Sequence, residues 1–307
     1  MPSLFKNNTQ PGWLAIVAAD GRADFVHVRR DAGALPKVLL AESIERGADY
    51  AAFLSSLRKP LGLASRRCSA VLRHGEYQLI QTEAVDGTPD EARDILRWKL
   101  KDQVEFAVDA AAVDFLPIPA GGRSRQVFAA IAAENVVAPL VQAFQAARVP
   151  LAVIDLPESS QRNLATLFEE PGRALAALVF DDAEGLLTFT LDGELLVVRH
   201  VEIPARQIIA ADAGRRTALF ERIALDVQRS LDNFDRMYST VQISRLVVAA
   251  LPGVDGFVDH LRDNLTVPVA TMDLGSVLDL GAVPALLDPL RQFQCLRGLG
   301  AALRDEA

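Results

Sequence analysis

The stretch Trp13-Leu14-Ala15-Ile16-Val17-Ala18-Ala19-Asp20-Gly21-Arg22-Ala23-Asp24-Phe25-Val26-His27-Val28 decides the fold class, because it hinges two apolar runs on an Asp-Gly pair. Asp-Gly accepts the backbone angles of a tight turn between antiparallel strands, so the stretch predicts a hairpin. Working outward, Val38 to Ile44 predicts a third strand, and Tyr50 to Leu57 a helix ended by Pro60. The same grammar returns later: Ala174 to Phe180 is an apolar strand, Asp181-Asp182-Ala183-Glu184-Gly185 a turn and Leu186 to Leu191 a strand. Asp192-Gly193-Glu194 then turns into a strand from Leu195 to Ile203. A long helix follows from about Thr217 to Tyr238, with Phe220, Ile223, Val227, Leu231 and Phe234 on one stripe. Residue identity between the halves is negligible, but the repeated order of elements predicts two similar α/β lobes facing a central cleft.

The first half carries extra material. Ser69 to Leu72 and Tyr77 to Thr82, joined by His74-Gly75-Glu76, predict another hairpin. Thr88-Pro89-Asp90-Glu91 is a helix start: a threonine cap, proline in the first turn, then two acids facing the positive end of the dipole. That helix is expected to run to about Phe106, with Ala92, Leu96, Leu100 and Val104 on one face. Strands at Val113 to Ile118 and Gln126 to Ala132, joined by Pro119-Ala120-Gly121-Gly122, a helix at Val136 to Arg148 and a strand at Leu151 to Leu156 complete the segment. The expected organisation is a first lobe at 1–170 with an insert at about 88–156, and a second lobe at 171–307. Ser159 to Glu169 is the connecting helix. The second lobe closes with a helix at Gly256 to Asn264, a strand at Val267 to Ala270 and a helix at Pro289 to Arg304.

Composition narrows the function. The chain has 307 residues, half apolar and about a quarter charged, which suits packed domains with no need of disulfides or metals. A formal net charge of −8 argues against nucleic acid or anionic lipid as a partner, since phosphate affinity comes from clustered Lys and Arg. The basic runs, such as Arg66-Arg67 and Arg215-Arg216, are short. Two cysteines, Cys68 and Cys295, lie in apolar or helical context and fit a reducing compartment. No window reaches the ~18–20 apolar residues of a membrane span, and Met1 to Gln10 lacks a signal-peptide core, so the expected location is cytoplasmic.

Catalytic chemistry leaves no imprint. Phosphate-binding glycine loops of the GxGxxG or GxxxxGK[ST] type are missing, as are GxSxG and HExxH. The four histidines, His27, His74, His200 and His260, lie far apart and are read as surface or strand-edge residues. Asp181, Asp182 and Glu184 offer carboxylate oxygens to Mg²⁺ but suffice as a solvated turn. The expectation is no catalytic residue, no metal and no enzyme activity.

Four stretches together resemble the PilM family of type IV pilus assembly proteins and its MshI relatives of the mannose-sensitive haemagglutinin (MSHA) pilus. They are Gly12 to Ile16 with its returning strand; Ile95-Leu96-Arg97-Trp98-Lys99-Leu100-Lys101-Asp102-Gln103-Val104-Glu105-Phe106 with Val113-Asp114-Phe115; Glu221 to Phe234 with Gln228-Arg229-Ser230-Leu231-Asp232-Asn233-Phe234; and the closing Arg297-Gly298-Leu299-Gly300-Ala301-Ala302-Leu303-Arg304. The resemblance implies a bilobed, actin-like (ribonuclease H-like) ATPase fold with a 1C-type insert in its first lobe. It implies a scaffold under the inner membrane, whose partner is a PilN- or MshJ-like membrane protein. The partner's cytoplasmic N-terminal peptide would lie between sub-domains 1A and 1C, near Arg97, Trp98, Lys101, Val113 and Phe115. The cytoplasmic L-component of type II secretion shares the fold and is the nearest alternative. Monomer and homodimer are both open.

The resemblance also implies ATP and Mg²⁺ as cofactors, and here the chain departs from it. The first phosphate loop maps to Ala15 through Ala23, with Ala18, Asp20 and Gly21 at its tip, and lacks the early Asp and the Lys. The second maps to Val179 through Gly185, with Asp181 and Asp182 where phosphate oxygens should sit. The adenosine motif maps to Ala249-Ala250-Leu251-Pro252-Gly253. With all three loops degraded, ATP is expected to bind weakly or not at all.

Overall fold

The computed structural model describes residues 10–119 and 125–305. The expected turn at Ala120-Gly121-Gly122 and the signal-peptide reading of residues 1–9 lie outside the described residues.

The chain opens with β1 (Gln10–Ala19), β2 (Arg22–Arg29), β3 (Lys37–Glu45), α1 (Tyr50–Leu57) and β4 (Arg66–Val71). Next come β5 (Gln78–Glu83), α2 (Pro89–Lys99), β6 (Ala112–Ile118) and β7 (Gln126–Ala132). Then α3 (Glu134–Ala146), β8 (Leu151–Asp155) and α4 (Pro157–Ala165) lead to β9 (Ala174–Phe180), β10 (Gly185–Leu191) and β11 (Glu194–Val201). The chain finishes through α5 (Ala205–Ile209), α6 (Ala213–Met237), β12 (Ile243–Val248), α7 (Phe257–Asn264), β13 (Val269–Thr271) and α8 (Pro289–Ala302).

Two five-stranded sheets repeat one topology, β3-β2-β1-β4-β8 and β11-β10-β9-β12-β13. In each, three antiparallel strands are followed by two parallel ones. Both central strands are buried on both faces, which explains their unbroken apolar runs. Trp13, Ala15 and Val17 face a central core shared with Leu175, Ala177 and Val179, while Leu14 and Ile16 face a separate core with Leu54 of α1 and Phe144 of α3. The second sheet packs its far face on α6 and α7 through Phe220, Val227, Leu231 and Phe257.

The central core is filled by α4 and α8, which lie between the two sheets. Their crossing depends on glycine: a Cβ on Gly300 would sit 2.0 Å from the Ser160 carbonyl oxygen, and one on Gly298 2.6 Å from Val26 Cγ2. The closing motif therefore has a packing reason, since only hydrogen fits where α8 meets α4 and β2.

Three expectations change. Ser69–Leu72 and Tyr77–Thr82 do not form a hairpin: β4 lies inside the first sheet, whereas β5 pairs with β7 in a separate three-stranded sheet of order β5-β7-β6. Cys68 to Leu72 is buried throughout, as a doubly covered strand must be, while β5 is half-exposed along its length. Likewise Leu151–Leu156 does not belong to the insert: β8 pairs in parallel with β4, so the segment between them is a crossover. The helix starting at Thr88 does have its capping box with Glu91, yet α2 ends at Lys99 and a 3₁₀ turn at Lys101–Gln103 leaves Val104 extended.

Candidate functional site

Two concave regions stand out, one between the lobes and one between the insert sheet and the first sheet. The inter-lobe cleft, about 410 Å³, is lined by the β1–β2 hairpin and the β9–β10 turn. Ala18, Asp20, Asp181 and Asp182 all reach it, so the fold brings the two expected phosphate loops face to face. Gly21, Gly185 and Gly253 do not line it, and Ala250 lines a second, much smaller void. Gly185 has another reason for being glycine: a Cβ there would lie 2.6 Å from the Phe180 ring.

The acids in the cleft are not left to repel one another. Asp181 Oδ1 accepts the backbone N–H groups of Ala183 and Glu184, both at 2.8 Å, and its Oδ2 is held by Arg297 of α8. Arg22 of the first lobe reaches Asp182 of the second at 3.4 Å and also Asp24 at 3.3 Å. Arg73 lies 3.5 Å from Asp20. Burial pushes the Asp24 carboxyl above the usual range. A carboxylate that accepts the N–H groups two and three residues on closes an Asx turn, so these donors are already used within the β9–β10 turn. Arg22, Arg73 and Arg297 had no sequence signal, because their partners are remote; Arg297 and Asp181 are 116 residues apart.

On the expected adenosine side, Phe293 and Leu296 of α8 close against Ala249 and Ala250, leaving about 10 Å³, roughly the room of one water. A nucleoside triphosphate is a poor match for this lining, because Asp20, Asp181 and Asp182 present carboxylates in the cleft and only about 10 Å³ is left beside Ala250 and Phe293.

The second region is a groove of about 350 Å³ between the insert sheet and β8. Leu79, Leu116, Phe128 and Ala130 form one wall, and Val137, Val153, Ile154 and Leu156 the other. β6 and β8 are each outermost in their sheets, so two strand edges border the groove. Its rim is polar and tied down. Asp155 is held by Arg304 at 2.6 Å and by the Ser159 hydroxyl, and the Tyr77 hydroxyl donates to Glu158 at 2.7 Å.

The expected partner residues separate. Val113 and Phe115 belong to β6 and border the groove, although they pack with Leu96 and Leu100 of α2 on the far face of the insert sheet. Arg97, Trp98 and Lys101 are not in the groove lining. Arg97 is tied to Asp94 and to the Ala111 carbonyl, and Trp98 is 56 % exposed beside exposed Ile95.

Of the histidines read as surface or strand-edge residues, His74 is exposed and His200 lies exposed on the edge strand β11, whereas His27 departs from that reading. His27 is buried, with Nε2 3.0 Å from the Pro11 carbonyl oxygen, and burial lowers its pKa to about 4. His74 and His200 meet at Glu184.

No family model and no curated protein sequence matches the chain. Solved structures do. The PilM–PilN type IV pilus biogenesis complex aligns with a TM-score of 0.72 at 18 % identity, over 95 % of this chain and 98 % of that one. A Bacteroides thetaiotaomicron protein with an actin-like ATPase fold gives 0.52 at 11 % identity, over 93 % and 99 %. The cytoplasmic domain of EpsL, an inner-membrane component of the type II secretion system of Vibrio cholerae, gives 0.50 at 11 % identity, over 96 % of both chains. The fold is the bilobed actin-like ATPase fold, as the resemblance implied. Among the described residues, no helix is long and apolar enough to cross a membrane.

Proposed function

We propose that this chain is a non-catalytic scaffold on the cytoplasmic side of an inner-membrane assembly platform, in a type IV pilus of the MSHA kind, with a role like that of MshI. In this reading the groove between β6 and β8 holds the cytoplasmic N-terminal peptide of a PilN- or MshJ-like membrane protein. The groove carries the reading: an apolar trough bounded by two edge strands suits an extended peptide. Such a peptide adds as a strand through main-chain hydrogen bonds, and alternate side chains drop into the apolar floor. The likeness to the PilM–PilN complex and to the EpsL cytoplasmic domain supports a pilus or secretion component, and the four sequence motifs favour the pilus.

The cleft, in the same reading, is a lobe-to-lobe joint with no ATP turnover. The Asp181 carboxylate, which takes up the backbone N–H groups of its own turn, and the small void left between Phe293 and Ala250 support this. The test is capture of the full chain on synthetic peptides copied from the cytoplasmic N-termini of membrane proteins encoded beside it, with type II secretion peptides as the competing set. Retention on a pilus peptide, lost in Leu116→Arg, is expected. Retention only on secretion peptides would move the protein to that system, and retention unaffected by Leu116→Arg would contradict the groove.

A further inference from the structure

His74, Glu184 and His200 come from three different places. His74 lies in the β4–β5 link of the first lobe, Glu184 in the β9–β10 turn and His200 on β11. His74 Nδ1 lies 2.8 Å and His200 Nδ1 2.9 Å from the same Glu184 oxygen, Oε1. The three donor atoms are all within 4.8 Å of one another, and among the described residues this is the group of His, Cys, Asp or Glu side chains that meets metal-ligand spacing. Glu184 is buried, while His74 is half-exposed, so the group opens to solvent on one side.

We propose that these three side chains form a divalent transition-metal site of the zinc class, which clamps the first lobe to the second. Two imidazole nitrogens and one carboxylate oxygen form a donor set suited to Zn²⁺, whereas Mg²⁺ and Ca²⁺ take oxygen ligands. Zinc needs its nitrogen and oxygen ligands at about 2.0–2.2 Å, in a tetrahedron with edges of roughly 3.3 Å. To admit the ion, the contacts of 2.8 and 2.9 Å need to open by about half an ångström, and the two imidazole nitrogens, which lie within 4.8 Å of each other, need to draw together.

The surroundings point the same way. Glu158 is almost fully buried, and its Oε1 lies 3.8 Å from Nε2 of His200, the nitrogen facing away from Glu184. At 3.8 Å this carboxylate is outside hydrogen-bond reach, and closing on Nε2 is what would let it fix the tautomer that presents Nδ1 to the metal. Tyr77 donates its hydroxyl to both Glu158 oxygens at 2.7 Å, which anchors that carboxylate. Two buried carboxylates converge on the pair of histidines, and a dication balances their charge. The solvent-facing side leaves a fourth position for water or a donor from a partner. Because His74 lies on the link that carries the insert sheet, an ion here ties that sheet to the second lobe.

The experiment uses the full chain, stripped with chelator and titrated with Zn²⁺ by calorimetry, with Co²⁺ as a visible reporter of tetrahedral nitrogen and oxygen ligation. One equivalent of Zn²⁺ is expected to bind and raise the melting temperature. His74→Ala and His200→Ala should each weaken binding by at least about a hundredfold, and Glu158→Gln by about tenfold. His260→Ala, remote from the group, should change nothing. Circular dichroism checks the folds; His74 is half-exposed, so its variant decides the outcome if His200→Ala unfolds. Failure of Zn²⁺ to bind, affinity unchanged in His74→Ala, or preference for Mg²⁺ overturns the proposal. None of these outcomes bears on peptide capture in the groove, so the two readings fail separately.

Discussion

The cleft and the groove are similar in volume, and they differ in where their charged groups lie. In the cleft, Asp20, Asp181 and Asp182 face Arg73, Arg297 and Arg22, so its polar groups are largely spent on one another. In the groove, the walls are Leu, Val, Ile, Ala and Phe, and its two edge strands are the outermost of their sheets. A cavity whose charges are already paired must break those pairs to take a ligand, which costs about 0–1 kcal/mol for an exposed pair such as Arg73–Asp20 and more for the largely buried Arg297–Asp181. An apolar trough gives up only water when it is filled. On the proposed reading, the fold keeps the outline of a nucleotide cleft while recognition passes to the groove.

The largest expected effect removes both regions together. Arg297 and Pro157 line the cleft, Arg304 and Ser159 line the groove, and the α4–α8 crossing supports all four. Gly300→Val puts a side chain into the Ser160 carbonyl, and a loss of about 3 kcal/mol or more is expected in urea unfolding. If Gly300→Val were as stable as the parent, the shared-wall picture would be wrong.

Asp181→Ala should separate the regions. It leaves two backbone N–H groups and Arg297 without their acceptor, with an expected cost of about 2–3 kcal/mol. Peptide capture in the groove should persist, and a parallel loss of capture would mean that the two regions are coupled.

Acid should act on the first lobe rather than on either cavity. His27 has a pKa of about 4 in the fold, against 6.5 for a free side chain. The folded state then binds fewer protons than the unfolded state between these values. The contribution is complete above pH 6.5 and is lost as the pH falls toward 4, by about 2–3 kcal/mol. Unfolding of His27→Gln should lack this component; an identical pH dependence in the variant would assign it to another group.

Ala130→Arg fills the groove from the half-exposed face of β7. Peptide affinity should fall at least about tenfold, or ~1.4 kcal/mol, with little change in melting temperature. The smallest effect is expected from Trp98→Ala, which should leave stability within about 0.5 kcal/mol and peptide affinity unchanged, because Trp98 lies on α2 outside the groove lining. A large loss of affinity in Trp98→Ala would restore α2 as the docking face and remove the contrast between groove and cleft.

What could be read from the sequence follows from which interactions are local. β1 and β9 were legible because doubly covered strands must be apolar throughout, and α2 because its cap at Thr88 and its acids are adjacent in sequence. Sheet membership was not: Ser69–Leu72 and Tyr77–Thr82 are both short strands, and only the separate pairing of β4 with β1 and of β5 with β7 tells them apart. Asp20 and Asp181, read as loop tips, both line the cleft, but the arginines beside them come from distant segments and leave no spacing to detect. For the same reason His74 and His200 read as unrelated residues until Glu184 drew them together.

On the proposed reading, the groove between β6 and β8, and not the inter-lobe cleft, holds a partner's peptide. The deciding measurement is calorimetric titration of the full chain with the cytoplasmic N-terminal peptide of the proposed PilN- or MshJ-like partner, with and without saturating Mg-ATP. Micromolar peptide binding that Mg-ATP leaves unchanged is expected, with no heat from Mg-ATP alone. Micromolar binding of Mg-ATP, or peptide binding that appears only in its presence, would contradict the claim.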